Sequence, residues 1–411
     1  MDRATQVAQG PHILCYDNIN ISTSIFVEQR SSAPARVQSG TFPVLYEVRN
    51  GNRKHMRLAP MLQRVQQASD LTFNADICPN LDQIKAFQGQ LRVHIIDILL
   101  QCSVHFKDYK HSSDRALQHE ERRRLPKGYK TKQYPLHTTT IDESSITGNI
   151  AVIHDVYINQ LNMSPQALSD MAIPSINDQS TNAWIQGTKA LRTKDVNPFT
   201  RLQCIQLGFG LFHLCMNLIW ALLHVHQGSI NQLGSLSYFF TVLNRLRLGC
   251  KHPDYHTLLA TLMQILHGVI MNAWHVECGH SSLAEFAKSN PTPARLCDIT
   301  DKILENHARP NPSCKLWKRK EKQGDGSMPT PSTTNFEGDS DNVHRNLKIL
   351  ARDLLFVLEL IQATSDGDFG RIEDILGQLA MIFRGAGSNN YCAEILHFIF
   401  NLKRVWTPEF A

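Results

Sequence analysis

The sequence predicts an α/β core with a large all-α insertion and C-terminal helices, helix-dominated overall. Three observations carry this. Short apolar runs rich in β-leaning residues alternate with helical periodicity over residues 1–228, and two of those runs end in a carboxylate. Beyond Ser229 every periodic segment repeats at helical spacing. Residues 309–342 then break the pattern with Pro, Ser, Thr, Gly and charge. The expected division is an α/β part over 1–228 with a basic loop at 106–135, a helical insertion over 229–308, a flexible linker over 309–342 and a C-terminal helical part over 343–411.

In order, Pro11–Asn20 reads as a buried strand whose C-terminal end presents Asp17 and Asn18, and Ile25–Val27 and Phe42–Val48 are further strands. Helical spacing covers Met56–Ala68 and Leu81–Cys102. Phe106–Pro135 has no sustained apolar period and reads as an exposed loop or a frayed helix. A helix over Ile150–Leu161 and a helix start at Ser164-Pro165, with Ser as cap and Pro in the first turn, lead to a second core strand, Met171–Ile176, that ends in Asn177-Asp178-Gln179. A helix from Thr181, a strand over Leu202–Phe209 and a long helix over Leu211–Gln227 complete the alternation. The later helices are Ile230–Leu248, Tyr255–Trp274, Ser282–Ser289, Ala294–His307, Val343–Ala363, Gly370–Phe383 and Asn390–Lys403, with Gly385-Ala-Gly387 as a turn.

With 411 residues, 42% hydrophobic and 19% charged, the chain can bury a sizeable core, which excludes wholesale disorder, collagen and a disulfide-stapled miniprotein. The ten Cys stand mostly alone, pointing to a reducing, intracellular setting, and Met1–Gln9 carries no apolar run of the signal-peptide kind. Gly208–Val225 has no formal charge, but His213, Asn217 and His224 share one stripe of a helix, as in a buried core helix; no membrane partner is expected. There is no Gly-rich phosphate loop, nucleophile elbow or His-Glu-x-x-His helix, so no small-molecule cofactor is expected.

Two carboxylates at the ends of adjacent core strands, Asp17 and Asp178, would suit magnesium or manganese, which prefer oxygen ligands. On spacing alone the plainer reading makes Asp17 a turn residue and Asp178 a helix N-cap. Glu394, in Tyr391-Cys-Ala-Glu394, is a candidate third carboxylate, in competition with Glu373 and Asp374. Cys250-Lys-His252 and His275-Val-Glu-Cys278-Gly-His280 hold zinc-type ligands, but neither gap fits a familiar finger and a chance cluster is the plainer reading.

Tyr16-Asp-Asn-Ile-Asn20, Gln29-Arg30, Thr140-Ile-Asp-Glu-Ser-Ser, Asn177-Asp-Gln-Ser-Thr181, Phe212-His213, Gly367-Asp-Phe-Gly-Arg-Ile372, Phe383-Arg-Gly-Ala-Gly and Asn390-Tyr-Cys-Ala-Glu394 follow one another in order. As a set they resemble a fungal domain-of-unknown-function family, number 6589, over nearly the whole chain. Its members in turn resemble transposases of the ribonuclease-H-like fold. The resemblance implies a ribonuclease-H-like core in which a first Asp ends the first strand, a second Asp ends the fourth, and a helical acid completes a two-metal site. Asp17, Asp178 and Glu394 match those positions, with Mg2+ as the implied cofactor and DNA as the implied partner. Asn177 and Ser180 stand where relatives read Gly and Leu, and His213 resembles a helical His of related transposases. The implied function is a transposase-derived, metal-dependent DNA nuclease or strand-transfer domain, with the nucleus as the implied compartment. The chain starts almost at its first strand and stops soon after Pro408, which leaves a fragmentary or inactive product as one reading. The alternative is a catalytically inactive, mainly helical DNA-binding or protein-interaction module.

The net charge of +5 is unevenly spread. Lys107–Lys132 holds nine basic against four acidic residues, and Lys315–Lys322 holds five against one, on an otherwise mildly acidic chain. Arg122, Arg123, Arg124, Lys127, Lys130, Lys132, Lys318, Arg319 and Lys320 are thus the expected phosphate-backbone contacts, the bland alternative being two solvated loops.

Overall fold

A computed structural model describes residues 1–23, 36–111, 114–309 and 342–411. The Ile25–Val27 strand, Gln29-Arg30, most of the expected linker, and Lys318, Arg319 and Lys320 lie outside the described residues.

In chain order the helices and strands are α1 (Asp2–Ala8), β1 (His12–Thr23), β2 (Arg36–Glu47), α2 (Leu58–Gln67), α3 (Leu81–Cys102), β3 (Gln133–Pro135), α4 (Ile146–His154), α5 (Pro165–Ser169), β4 (Ile173–Asn177), α6 (Gln179–Leu191), β5 (Ile205–Phe209), α7 (Leu211–His226), α8 (Leu236–Val242), α9 (Tyr255–Glu277), α10 (Leu283–Lys288), α11 (Pro293–Ile303), α12 (Asn342–Asp366), α13 (Phe369–Gly385) and α14 (Asn389–Phe400). The chain is helix-dominated, with one small mixed sheet among the described residues. Side-chain caps explain many helix starts: Ser145, Ser164, Asp178, Ser235, Asp254, Ser282 and Thr292 each accept a hydrogen bond from a backbone N–H in the first turn. The helix expected over Ile230–Leu248 shrinks to α8 and a short turn. Gly228, Gly234 and Asn244 adopt positive φ (54°, 80° and 54°), and those left-handed positions bracket the helix. The sequence reading missed α1 and β3, which are too short to show a period.

The residues fall into two compact units, each discontinuous in sequence: Met1–Asn80, Arg124–Asn217 and Ile375–Ala411 form the first, Leu81–Arg123 and Leu218–Asp374 the second. These units are not consecutive in sequence because the last segment, Ile375–Ala411, packs back on the sheet and α3 joins the later helices. Within the first unit the Phe398 ring packs tilted against Phe209 of β5 at 4.8 Å between centroids, and Trp406 donates to Gln206 Oε1 at 2.8 Å.

The sheet of the first unit has the order β3-β2-β1-β4-β5. β1, β2 and β3 pair antiparallel, whereas β1–β4 and β4–β5 are parallel. β5 is buried on both faces, with Gln206 as a buried polar residue among Ile205, Leu207 and Phe209, while β4 alternates. The second unit packs α3, α9, α11 and α12 around Ile95, Leu99, Leu262, Ile270, Ile299 and Val357, each at most 1% exposed. Burying each such side chain is worth roughly 1.5–3 kcal/mol. Trp274 closes that core and donates to the Ile95 carbonyl at 3.0 Å. Gly208–Val225 forms the end of β5 and most of α7. α9 is long and apolar enough to cross a membrane by length and composition, with 44% of its most apolar stretch buried inside the fold.

Candidate functional site

The parallel pairing of β1 with β4 sets Leu14 opposite Ser175. Three residues further along each strand stand Asp17 and Asp178, so one register brings both acids to the same level of neighbouring strands. Neighbouring strands lie about 4.8 Å apart. Asp17 does not end its strand, however: β1 continues to Thr23 beside β2, and it is β4 that stops, at Asn177. Asp17 is exposed in mid-strand, and its Oδ1 accepts from the Asn18 N–H at 2.8 Å. Asp178 caps α6 through Oδ1, which accepts from Thr181 N–H at 2.7 Å. The capping role read from sequence is therefore real and coexists with the placement beside Asp17.

A further carboxylate, Glu143, joins them, and no sequence signal marked it beyond the Thr140-Ile-Asp-Glu motif. Its segment is laced to β2: Thr41 N–H donates to the Thr139 carbonyl (2.8 Å), Thr139 N–H returns to Thr41 (3.0 Å), and the Thr41 hydroxyl donates to Ile141 O (2.7 Å). Two glycines permit this path. A Cβ on Gly40 would lie 2.3 Å from Thr139 O, and one on Gly148 would lie 1.9 Å from Asp142 O. Asn149 of α4 then donates to Glu143 O (2.5 Å) and Ser145 O (2.9 Å) while accepting from the Tyr16 hydroxyl at 2.8 Å, which ties the segment to β1.

Glu143 is 3% exposed, and its Oε2 has no hydrogen-bond partner among the described residues. Burial pushes its carboxyl up to about 8, with the negative charges of Asp17 and Asp178 adding to the rise; the Asn18 N–H and the Thr181 hydroxyl offset part of it. Glu394, on the second turn of α14, is 5% exposed. Its carboxyl is pushed up to about 7 by burial, opposed by a hydrogen bond from Asn182 and aided by Asp178. Asn182 Nδ2 donates to Glu394 Oε1 at 2.6 Å and to Gly208 O at 2.9 Å, and Asn182 Oδ1 accepts from Asn177 Nδ2 at 3.1 Å. A relay from β4 through α6 thus orients the acid on α14, and Asn177 is part of it. The other expected third acids belong to the second unit and its ion pairs: Glu373 pairs with Arg123 (2.9 Å) and Asp374 with Arg122 (2.8 Å).

Asp178 also lines a polar cleft of about 470 Å3 with His213, Asn217, Ser388, Asn390 and Tyr391. Asn217 Nδ2 donates to the Tyr391 hydroxyl at 2.9 Å, and burial, with Asp178 and Glu394 adding to it, holds that phenol protonated well above its usual range. Glu143 thus feels the charges of Asp17 and Asp178, Glu394 feels that of Asp178, and one buried oxygen of Glu143 has no donor among the described residues. Oxygen donors of this kind suit a hard divalent cation of the magnesium class, but as placed no three of these acids bring one oxygen each within 4.8 Å of one another.

The basic candidates divide. Arg122 is spent in ion pairs with Asp82 (2.7 Å) and Asp374 (2.8 Å), and Arg123 pairs with Glu373. The guanidinium of Arg122 is thus engaged by two carboxylates within the fold. Asp368 accepts from the N–H groups of Arg122 (2.9 Å) and Arg123 (2.7 Å), and a Cβ on Gly370 would lie 2.9 Å from Arg123 N. The Gly367-Asp-Phe-Gly-Arg motif is thereby a clamp on this segment. In the first unit Arg124, Lys127, Lys130 and Lys132 are all exposed, and Lys132 pairs with Glu47 at 3.2 Å. The zinc-type elements do not assemble: Cys278 Sγ donates to the carbonyls of His275 and His280, and Cys250 is exposed.

No curated protein and no solved structure matches the chain. A family model described as a family of unknown function, DUF6589, matches residues 66–411. With Asp178, Glu143 and Glu394 all inside that match, the protein belongs to the DUF6589 family.

Proposed function

We propose that the protein is a metal-dependent DNA phosphodiesterase of the ribonuclease-H-like kind, derived from the transposase of a mobile element. The observation that carries this reading is the β1–β4 register, which levels Asp17 with Asp178 while Glu143 and Glu394 close in from a loop and a helix. Asp178 follows the fourth strand, where the resemblance implies the second acid, while Asp17 stands within the first strand and not at its end. Asp17, Glu143, Asp178 and Glu394 would have to draw closer together to hold Mg2+, which would then supply activation of a water nucleophile and charge stabilisation on the leaving oxygen. The chain's own contribution is positional: Asn182 orients Glu394, Asn149 anchors the Glu143 segment, and exposed Asp17 leaves one side open to a substrate. Exposed Lys127 and Lys130 on the same unit are the basic residues best disposed to meet a phosphate backbone.

The test is nicking of supercoiled DNA by the full chain with Mg2+ or Mn2+. Activity abolished by chelator and by Asp178→Asn supports the proposal. Cutting that persists undiminished in both Asp17→Asn and Asp178→Asn overturns it, and salt-sensitive DNA binding without cleavage would turn the reading to an inactive DNA-binding module.

A further inference from the structure

A second group of ligand-type side chains lies within the helical unit. His94 on α3, His119 in the segment after it and Glu359 on α12 each offer one atom, and the atoms all lie within 4.8 Å of one another. His94 and Glu359 are 3% and 0% exposed, and His94 Nε2 lies 2.6 Å from Glu359 Oε2. Asp97 stands at the margin, its Oδ2 4.0 Å from His119 Nε2. We propose that these residues bind one transition-metal cation of the zinc class, with His94, His119 and Glu359 as ligands and Asp97 or water as the fourth.

Three features support it. The first is the tautomer of His119. Gln90 Nε2 donates to Glu120 O at 2.7 Å, which turns Gln90 Oε1 toward His119 Nδ1 at 2.6 Å. An amide oxygen only accepts, so Nδ1 carries the hydrogen and the neutral ring presents a lone pair at Nε2, the arrangement by which outer groups orient metal-ligating imidazoles. The second is spacing. Tetrahedral zinc with bonds of about 2.0–2.1 Å separates its donors by about 3.3 Å, inside the 2.6–4.8 Å spanned here, so rotations of side chains suffice. The third is charge. Glu359, Asp366 and Asp97 carry three negative charges, and Arg371 answers two of them, pairing with Glu359 (2.6 Å) and Asp366 (2.8 Å). A dication brings the group to neutrality, and Arg371 then serves as the outer partner that fixes the ligating carboxylate. On binding, the cation takes the Nε2 lone pair of His94, whose ring hydrogen moves to Nδ1.

Cobalt titration of the full chain, purified with chelator and then freed of it, tests this. One equivalent of Co2+ should give visible ligand-field bands that Zn2+ displaces. His119→Gln, which leaves the Glu359–Arg371 pair in place, should weaken binding at least tenfold with an unchanged circular dichroism spectrum, while Asp178→Asn should leave it unaltered. X-ray absorption of the zinc-loaded wild-type chain should find two imidazoles and no sulfur, independently of any variant. Absence of stoichiometric binding, sulfur ligation, or full-strength binding by both His94→Gln and His119→Gln overturns the proposal.

Discussion

Replacing Asn182 with Ala removes the residue through which α6 holds Glu394. Asn182 is fully buried and makes three hydrogen bonds, to Glu394, Gly208 and Asn177. Asn177 Nδ2 keeps a second partner, Ser175 Oγ at 2.9 Å, so its loss is small. Gly208 O and Glu394 Oε1 each lose this donor in a dry environment, at about 1–3 kcal/mol apiece. A total of about 2–6 kcal/mol is expected, read as a lower urea midpoint of the transition that unfolds this unit. Nicking should fall about 10–100-fold, the usual cost of losing an outer-shell partner. Asn182→Asp separates the two effects: it fills the same space but adds an acceptor where Glu394 needs a donor, so activity should fall without a cavity. An Ala variant with both the wild-type urea midpoint and the wild-type nicking rate would refute the relay.

Gly148→Ala should destabilise the protein by about 1–3 kcal/mol and reduce nicking, because the new Cβ would meet Asp142 O at 1.9 Å and displace the Glu143 segment; matched denaturation curves would count against it. Buried His12, held by Gly10 O (2.8 Å) and the Tyr157 hydroxyl (3.0 Å), is lowered by burial from 6.5 to about 4. Below pH 6.5 the unfolded chain takes up a proton that the folded one refuses until about pH 4, so stability is full above 6.5 and is lost as pH falls through that window, by about 3 kcal/mol. His12→Gln should flatten this part of the acid slope in urea titrations between pH 7 and 4, and an unchanged slope would contradict the assignment.

Much of the local structure was readable in advance because it depends on near neighbours. The period of Leu81–Cys102 yielded α3 with the same limits, Ser164-Pro165 marked a helix start, and Asp178 was visible as an N-cap. Asp17 and Asp178 were nameable as a pair because each follows a short apolar run in the sequence, although only Asp178 follows the end of its strand. Glu143 was not, since Asp142-Glu143-Ser144 has the look of any polar turn; its burial comes from Gly40, Thr41 and Gly148, more than a hundred residues apart at the extremes. The division into units escaped for the same reason, because Ile375–Ala411 returns to the sheet through contacts that leave no periodic trace.

By itself, then, the sequence determined the α/β and all-α character, the helix starts and two acids of the site, since periodicity, capping and strand ends are decided within a few residues. Only the tertiary structure decided that Asp17 and Asp178 share a level, that Glu143 and Glu394 join them, that Arg122 is already engaged, and that His94, His119 and Glu359 meet. Strand register, ion pairing and burial are set by partners distant along the chain, and the charge state of a buried carboxyl depends on which of them arrive.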